Sequence, residues 1–313
     1  MLSSAKTVAG LMGVCVGDAL GVPVEFSRRS EREKDPITSM RGYGTHNQPP
    51  GTWSDDSSLT FCLAECLCEG FSLDQIAASF SRWYREAYWT SHGVVFDVGF
   101  TTLQAILNWQ QGTSPIKAGG NTEDSNGNGS LMRILPLAYC HQKLTFPELI
   151  ATTHQVSCIT HAHPRSQMAC GIYISIAVAL LAGVDLQTAY IQGVEKIKPL
   201  YSSGEYLLEI PHFARVFSGN LAQIPIEEIN SGGYVIHTLE ASLWCLLNTS
   251  SYSEAVLKAV NLGGDTDTTG AVTGGLAGIY YGLDHIPSAW IEQIARKAEI
   301  IDLGKRLATA MND

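Results

Sequence analysis

The stretch GGDTDTTGAVTGGLAGIYYG, residues 263–282, joins a polar turn to an apolar segment and guides the interpretation of the whole chain. Behind the turn, glycine recurs at every fourth residue, at Gly270, Gly274, Gly278 and Gly282. Positions four apart share one face of a helix, and a face made of glycine lets a second helix approach closely. We therefore predict a helix that begins near Thr268 and packs tightly against another helix.

Helical periodicity extends over most of the chain. Apolar residues at 76, 80, 83 and 87 follow the spacing of a helix face, and this segment opens with the capping-box pattern Ser72-Leu-Asp-Gln75. Further helices are expected over roughly 4–20, 57–69, 100–111, 164–183, 185–197, 268–281 and 287–298. No segment alternates apolar and polar residues as a strand does. The expected fold class is all-α.

Two long polar loops interrupt this pattern, Ser27–Pro50 and Gly112–Asn128. Loops of this length are usually functional or disordered, and the second has the composition of a linker. A domain boundary near residue 120 is one interpretation. The acidic motifs described below lie on both sides of it. If both motifs bind the same metals, residues 1–313 form a single domain, and 112–128 lies in the wall of a cleft rather than in a linker.

Composition and charge exclude several classes of protein. The 313 residues are 45 % hydrophobic and 16 % charged, which is typical of a globular chain with a sizeable core. The net charge is −10, without the concentrated basic surface that a nucleic-acid binder needs. By inspection of the sequence, no apolar run approaches the ~18–20 residues of a membrane helix. We expect neither a nucleic-acid nor a membrane partner.

The eight cysteines lie mostly in apolar, helix-like segments, and none forms a C-x-x-C pair. Buried cysteines of this kind behave as small apolar residues. They predict free thiols and a cytoplasmic location, where disulfides are rare.

The first acidic motif is GTWSDDSS, residues 51–58, directly before an apolar helix. One acid here is explained by helix capping and the helix dipole. Two adjacent acids, Asp55 and Asp56, beside Ser54 are explained less well by capping alone.

The second acidic motif lies in the opening stretch. Asp265 and Asp267 alternate with the hydroxyl residues Thr266 and Thr268. Capping of the following helix needs only one acid, whereas carboxylates and hydroxyls together suit Mg²⁺ or Mn²⁺. We favour a metal site.

Weaker signals come from three further segments. GDALGVPVEF, residues 17–26, carries Asp18 and Glu25, either of which has a possible structural role. GNGSLMR, residues 127–133, is a glycine-rich turn whose N–H groups suit a phosphate. His161 and His163 do not match an oxygen-rich metal site.

Taken in order, GDALG-x-x-x-E, W-S-D-D-S, D-x-G-x-x-T, N-G-S-L-M-R, T-H-x-H and G-G-D-T-D-T-x-G resemble the ADP-ribosylglycohydrolase family, from about residue 7 to residue 300. The resemblance implies a single-domain, all-α orthogonal helix bundle with a binuclear metal cleft that holds two divalent cations, Mg²⁺ or Mn²⁺. The metal ligands that it implies are Ser54, Asp55, Asp56, Asp265, Asp267 and Thr268. The acids that it implies for the chemistry are Glu25, Asp56 and Asp97. The substrate contacts that it implies are Gly99 beside the distal ribose, Asn128, Gly129 and Ser130 at phosphate, His161 near the diphosphate and Tyr234 at the adenosine end.

The expected activity is metal-dependent hydrolysis of the N-glycosidic bond between ADP-ribose and an arginine of a modified protein, with ADP-ribose as product. Cleavage of serine-linked ADP-ribose or of a free ADP-ribose derivative remains an alternative, because the motifs do not separate these substrates. A non-catalytic ADP-ribose-binding or immunity-type protein is a second alternative, although all four acids of the two acidic motifs are retained. A phosphohydrolase is a third.

Overall fold

A computed structural model describes residues 2–313 of the protein. Helices are the regular secondary structure of these residues. Within these residues the backbone forms no sheet, only three isolated β-bridges. This confirms the expected all-α class. The helices are α1 Ser4–Gly21, α2 Arg29–Lys34, α3 Asp55–Glu69, α4 Leu73–Glu86, α5 Phe100–Gln110, α6 Pro115–Ala118, α7 Phe146–Cys158, α8 Pro164–Leu181, α9 Leu186–Ile197, α10 Gly204–Glu209, α11 Ala214–Phe217, α12 Val235–Leu247, α13 Tyr252–Val260, α14 Thr266–Tyr281, α15 Ser288–Ile291 and α16 Lys297–Asn312.

Helices α1 and α14 form the tightly packed pair that the glycine spacing predicts. A β-carbon built on Gly17 would lie 2.1 Å from the carbonyl oxygen of Gly270, and one on Gly274 would lie 2.2 Å from that of Gly13. No side chain fits at these distances, so the two backbones touch directly. Gly282 is different: its φ of +87° ends α14, and a β-carbon there would meet nothing.

This pairing determines where the acidic motifs lie. The end of α1 meets the start of α14, since a β-carbon on Gly21 would lie 2.3 Å from the Cα of Asp267. Asp18, in the last turn of α1, accepts hydrogen bonds from the backbone N–H groups of Ser54 and Ser57 at the start of α3. Three helix ends therefore converge at one place.

The predicted helix over 287–298 is wrong. Helix α15 covers only Ser288–Ile291, and the chain then turns through Arg296, whose φ is +50°, into the long helix α16. In that turn the Ala295 N–H donates to the carbonyl of Gly51, which lies outside the segment. A tertiary contact thus replaces the helical hydrogen bonding that local sequence favours.

The expectation about apolar length is also corrected. Residues 4–24 and helix α8 are each long and apolar enough to cross a membrane by length and composition. Both are mostly buried inside the protein, as core helices are. All eight cysteines are free, as predicted.

Candidate metal centre and substrate cleft

The two acidic motifs meet although 210 residues separate them. The Thr268 hydroxyl donates a hydrogen bond of 3.3 Å to Oδ2 of Asp56, which also accepts one of 3.1 Å from the hydroxyl of Ser54. All these side chains are buried. We call Asp55, Asp56, Asp265 and Asp267 the acidic floor.

Helix capping explains only part of this arrangement. Ser54 is the N-cap of α3 and accepts from the N–H of Asp56 at 3.3 Å. Asp265 is the residue before α14 but makes no side-chain cap hydrogen bond. The capping interpretation therefore holds for Ser54 and fails for Asp265.

Three buried carboxylate oxygens of the acidic floor have no hydrogen-bond partner among residues 2–313. They are Oδ1 of Asp56, Oδ1 of Asp265 and Oδ2 of Asp267. Burying a charged oxygen without a partner is costly, and buried charges are normally paired or bound to a metal. The oxygen donors of this cluster fit a hard divalent cation.

Glu25 places a further carboxylate beside the acidic floor. Glu25, Asp265 and Asp267 offer oxygens that lie within 4.8 Å of one another. Glu25 directly follows a 3₁₀ turn, Val22–Val24, that continues α1. Glu25 therefore lies beside two of the residues predicted to bind metal, Asp265 and Asp267.

Charge crowding has a direct effect on protonation. Burial raises the pKa values of Asp55, Asp56 and Asp267 well above their usual range, and repulsion between the carboxylates raises them further. Burial raises the pKa of Glu25 to about 7, against the opposing effect of its hydrogen bond with His46. The site thus favours protons or cations over bare carboxylates.

His46 was not identified from the sequence. Its Nε2 bonds to Oε2 of Glu25, and its ring packs against Phe96 with centroids 5.2 Å apart. It lies in the polar loop 27–50, 21 residues beyond Glu25, and no motif marks it. Folding of that loop alone brings the two side chains together.

A cavity of about 260 Å³ opens above the acidic floor. Its wall includes most of the predicted site residues, namely Glu25, Asp55, Asp97, Gly99, Asn128, Gly129, His161, Asp265 and Thr268. Ser54, Asp56 and Asp267 lie buried beneath it. Ser130 and Tyr234 are not part of its wall.

The glycine-rich turn is anchored to the acidic floor on one side and to a buried arginine on the other. Asn128 Nδ2 donates to Oδ2 of Asp265 at 2.9 Å, and Arg133 donates to the carbonyl of Gly129. Ser130 points inward instead and accepts from the Ser157 hydroxyl at 2.9 Å. Arg133, which sequence reasoning passed over, fixes the shape of the turn.

His161 closes the wall behind this turn. A β-carbon on Gly129 would lie only 2.8 Å from its Cε1 atom. Burial, reinforced by the charge of Arg133, lowers the pKa of His161 to about 3. The imidazole is therefore neutral at physiological pH.

The loop 112–128 is held against the cleft by short backbone pairings. Gly120 pairs with His161 and Gly127 pairs with Tyr234 as isolated bridges. The N–H of Asn128 donates to the carbonyl of Gly233 at 3.0 Å. The last two residues of the segment, Gly127 and Asn128, line the cavity, whereas residues 112–126 do not.

Tyr234 lies just beyond the cavity and is held by Arg165, a second residue that sequence reasoning did not identify. Arg165 is 5 % exposed and donates to the Tyr234 hydroxyl at 3.0 Å and to Glu209 at 2.7 Å. It joins α8 to the last residue of α10 and to the residue that precedes α12. The partners are 44 and 69 residues away, so no local pattern indicates them.

Comparison with known proteins identifies relatives over almost the whole chain. A family model described as ADP-ribosylglycohydrolase matches residues 3–313. The ADP-ribosylarginine hydrolase Tri1 of Serratia proteamaculans (strain 568) is 32% identical over 307 residues, covering 96% of this chain and 78% of that protein. The ADP-ribosyl-dinitrogen reductase glycohydrolase of Rhodospirillum rubrum is 28% identical over 302 residues, covering 94% of this chain and 92% of that protein. A solved structure of an ADP-ribosylglycohydrolase-related protein complex superposes with a TM-score of 0.80 at 31% identity, covering 98% of each chain.

Proposed function

Because the chain belongs to the ADP-ribosylglycohydrolase family, we propose that it is a hydrolase that removes ADP-ribose from arginine side chains of modified proteins. The relatives from Serratia and Rhodospirillum carry names for the same kind of hydrolysis, and the first is named for arginine. The observation that carries the proposal is the group of unpartnered carboxylate oxygens beneath an open cavity. A non-catalytic binder has no need of that arrangement.

The acidic floor is the proposed holder of two divalent cations, Mg²⁺ or Mn²⁺. Asp55, Asp56, Asp265 and Asp267 supply carboxylates, and Ser54 and Thr268 supply hydroxyls. When bound, such cations orient ribose hydroxyls and lower the pKa of a water molecule. The chain's own part is to keep these oxygens buried and converging.

Glu25 is the proposed proton acceptor. It lines the cavity beside Asp265 and Asp267, where a carboxylate can accept a proton from a water molecule held at the acidic floor. In the reaction the water oxygen bonds to the anomeric carbon and gives up a proton to Oε1 or Oε2. The carbon–nitrogen bond breaks, and the departing guanidine nitrogen takes up a proton. Asp97, also in the cavity wall, is the alternative acceptor.

The rest of the cleft is assigned to the remainder of the nucleotide. We propose that the turn at Asn128 and Gly129, backed by neutral His161, contacts the phosphates. We assign Tyr234 to the adenosine end and Gly99 to the distal ribose. Ser130 shapes the turn from behind. A cytoplasmic location, as the free thiols predict, and a single domain complete the proposal.

The decisive assay measures release of ADP-ribose from arginine-linked and serine-linked peptides, each with Mg²⁺, Mn²⁺ or EDTA. We expect rapid release from the arginine-linked peptide, restored after EDTA by added metal. Faster release from the serine-linked peptide would transfer the proposal to that linkage. Tight binding of ADP-ribose without release from either peptide would show a binding protein instead.

A further inference from the structure

Two phenylalanine rings at the mouth of the cavity face solvent. Phe26 is 67 % exposed and Phe100 is 80 % exposed, yet both line the cavity above the acidic floor. Most large apolar side chains of this protein are buried, and apolar groups left exposed beside a site usually mark a binding surface. The two rings have no assigned part in holding metal or phosphate.

Phe26 is held in its outward position by the backbone. Its φ is +62°, in the left-handed region that aromatic residues rarely adopt. Its N–H donates to the carbonyl of Gly264 at 2.7 Å, directly before the acidic run of α14. Its ring also lies beside His46, with centroids 6.2 Å apart. Strain of this kind is kept where the surroundings impose it and is concentrated at functional sites.

Phe100 lines the same cavity from another segment of the chain. It is the first residue of α5, directly after Gly99 and close in sequence to Asp97. The helix backbone fixes the Cα–Cβ bond of Phe100, while the ring itself is exposed to solvent. The two rings therefore follow Glu25 and Gly99, the residues assigned to the reacting end of the substrate.

The charge around the rings selects the kind of group that they can hold. Glu25, Asp55, Asp97 and Asp265 line this cavity, and none of the described residues that line it is lysine or arginine. A cation in the mouth is attracted by the carboxylates below and by the faces of aromatic rings. A planar guanidinium can do both, because it stacks on rings and pairs with carboxylates.

We propose that Phe26 and Phe100 form an aromatic clamp that binds the guanidinium and alkyl stem of the modified arginine. This inference rests on the proposed function and extends it from the nucleotide to the protein side of the scissile bond. The clamp selects arginine, since a serine-linked substrate presents neither a cation nor a long stem.

The test compares wild type with Phe26→Ala, Phe100→Ala and the double variant. KM for an ADP-ribosyl-arginine peptide is expected to rise several-fold in each single variant and at least about ten-fold in the double variant. The Kd of free ADP-ribose, measured by calorimetry, is expected to stay within about two-fold, because the product lacks the arginine. Phe100→Leu, which keeps apolar surface without an aromatic face, should recover only part of the loss.

Phe71→Ala is the matched control, since this ring is 47 % exposed and lies away from the cleft. It should change neither KM nor Kd. Far-ultraviolet circular dichroism and thermal melting establish that each variant is folded. We expect all of them to fold, because both replaced rings are exposed.

Three outcomes would overturn the clamp. An unchanged KM in the double variant removes both rings from substrate binding. A Kd for ADP-ribose that rises as much as KM places the rings on the nucleotide. Wild-type protein that fails to release arginine-linked ADP-ribose refutes the proposed function, and the clamp falls with it; the first two outcomes leave that function standing.

Discussion

Helix α14 contains two regions with opposite physical character. Around Gly270 and Gly274 its backbone touches α1, and carbonyl oxygens fill the space that side chains would need. One turn earlier, Asp265 and Asp267 place unpartnered carboxylate oxygens beside those of α3. The first region stabilises the fold, whereas the second opposes folding until a cation or protons arrive. Close packing in the middle of the helix thus offsets the repulsion between the carboxylates at its start.

This contrast predicts that removing a charge and adding a methyl group have opposite effects. Asp267→Asn should lower glycohydrolase activity at least about 100-fold, because the substitution removes one carboxylate oxygen of a proposed metal ligand. The melting temperature without metal should stay the same or rise, since repulsion falls. The upward shift in melting temperature on adding Mg²⁺ or Mn²⁺ should shrink.

Asp284→Asn, an exposed acid beyond the end of α14, is the control and should change none of these quantities. If Asp267→Asn retains the wild-type rate, Asp267 has only a structural role and the proposed metal site is wrong.

Gly274→Ala tests the packed region. The new methyl carbon would lie 2.2 Å from the Gly13 carbonyl oxygen, so α1 and α14 must separate. We expect the free energy of unfolding to fall by about 3 kcal/mol, measured by urea denaturation. Gly232→Ala, where a β-carbon meets nothing within 4 Å, should be close to neutral. Equal stability of the two variants would contradict direct backbone packing.

The metal-free protein should lose stability as pH rises. The folded-state pKa of Glu25 is raised from 4.5 to about 7, and burial raises that of Asp18 to about 6. A raised acid pKa means that the folded state holds its proton more tightly, so stability is full below pH 4.5 and is lost as pH rises through 7. For Glu25 alone the loss between pH 5 and 8 is about 2 kcal/mol.

Urea denaturation in EDTA at several pH values measures this dependence. Glu25→Gln should flatten the curve, and saturating divalent cation should remove most of the slope. A metal-free protein that grows more stable from pH 5 to 8 would show that the carboxylates do not repel one another in the folded state.

The smallest effect is expected at His46. His46→Ala removes the hydrogen bond to Glu25 and should lower kcat about ten-fold. Because that bond lowers the pKa of Glu25, its loss should move the acidic limb of the pH profile to higher pH. His46→Gln keeps a donor and should recover part of the rate, while His285→Ala, an exposed histidine, is the control. If the pH profile of kcat does not move in His46→Ala, Glu25 is not the general base.

The four acids of the acidic floor could be identified from the sequence because they lie at helix starts, in short local motifs. The meeting of the two motifs, 210 residues apart, followed only from the family resemblance. Local patterns also predicted α1, α3 and α14, whose bounds agree with the predicted segments within a few residues. The segment 287–298 failed because a backbone contact with Gly51 breaks the helix. Helix α16 was missed although Ile300, Leu303, Leu307 and Met311 repeat at helical spacing and are buried. His46, Arg133 and Arg165 act through partners distant in sequence or on the backbone, and no periodic pattern records such contacts.

The pairing of α1 with α14 also sets an order in time. Residues 4–21 leave the ribosome some 250 residues ahead of residues 266–281. At about 5–20 residues per second the delay is on the order of tens of seconds. Throughout that interval α1 lacks the surface that buries it, and the carboxylates of α3 lack those of α14. The nascent chain therefore exposes an apolar segment during this interval, and the complete acidic floor assembles only after α14 has been made.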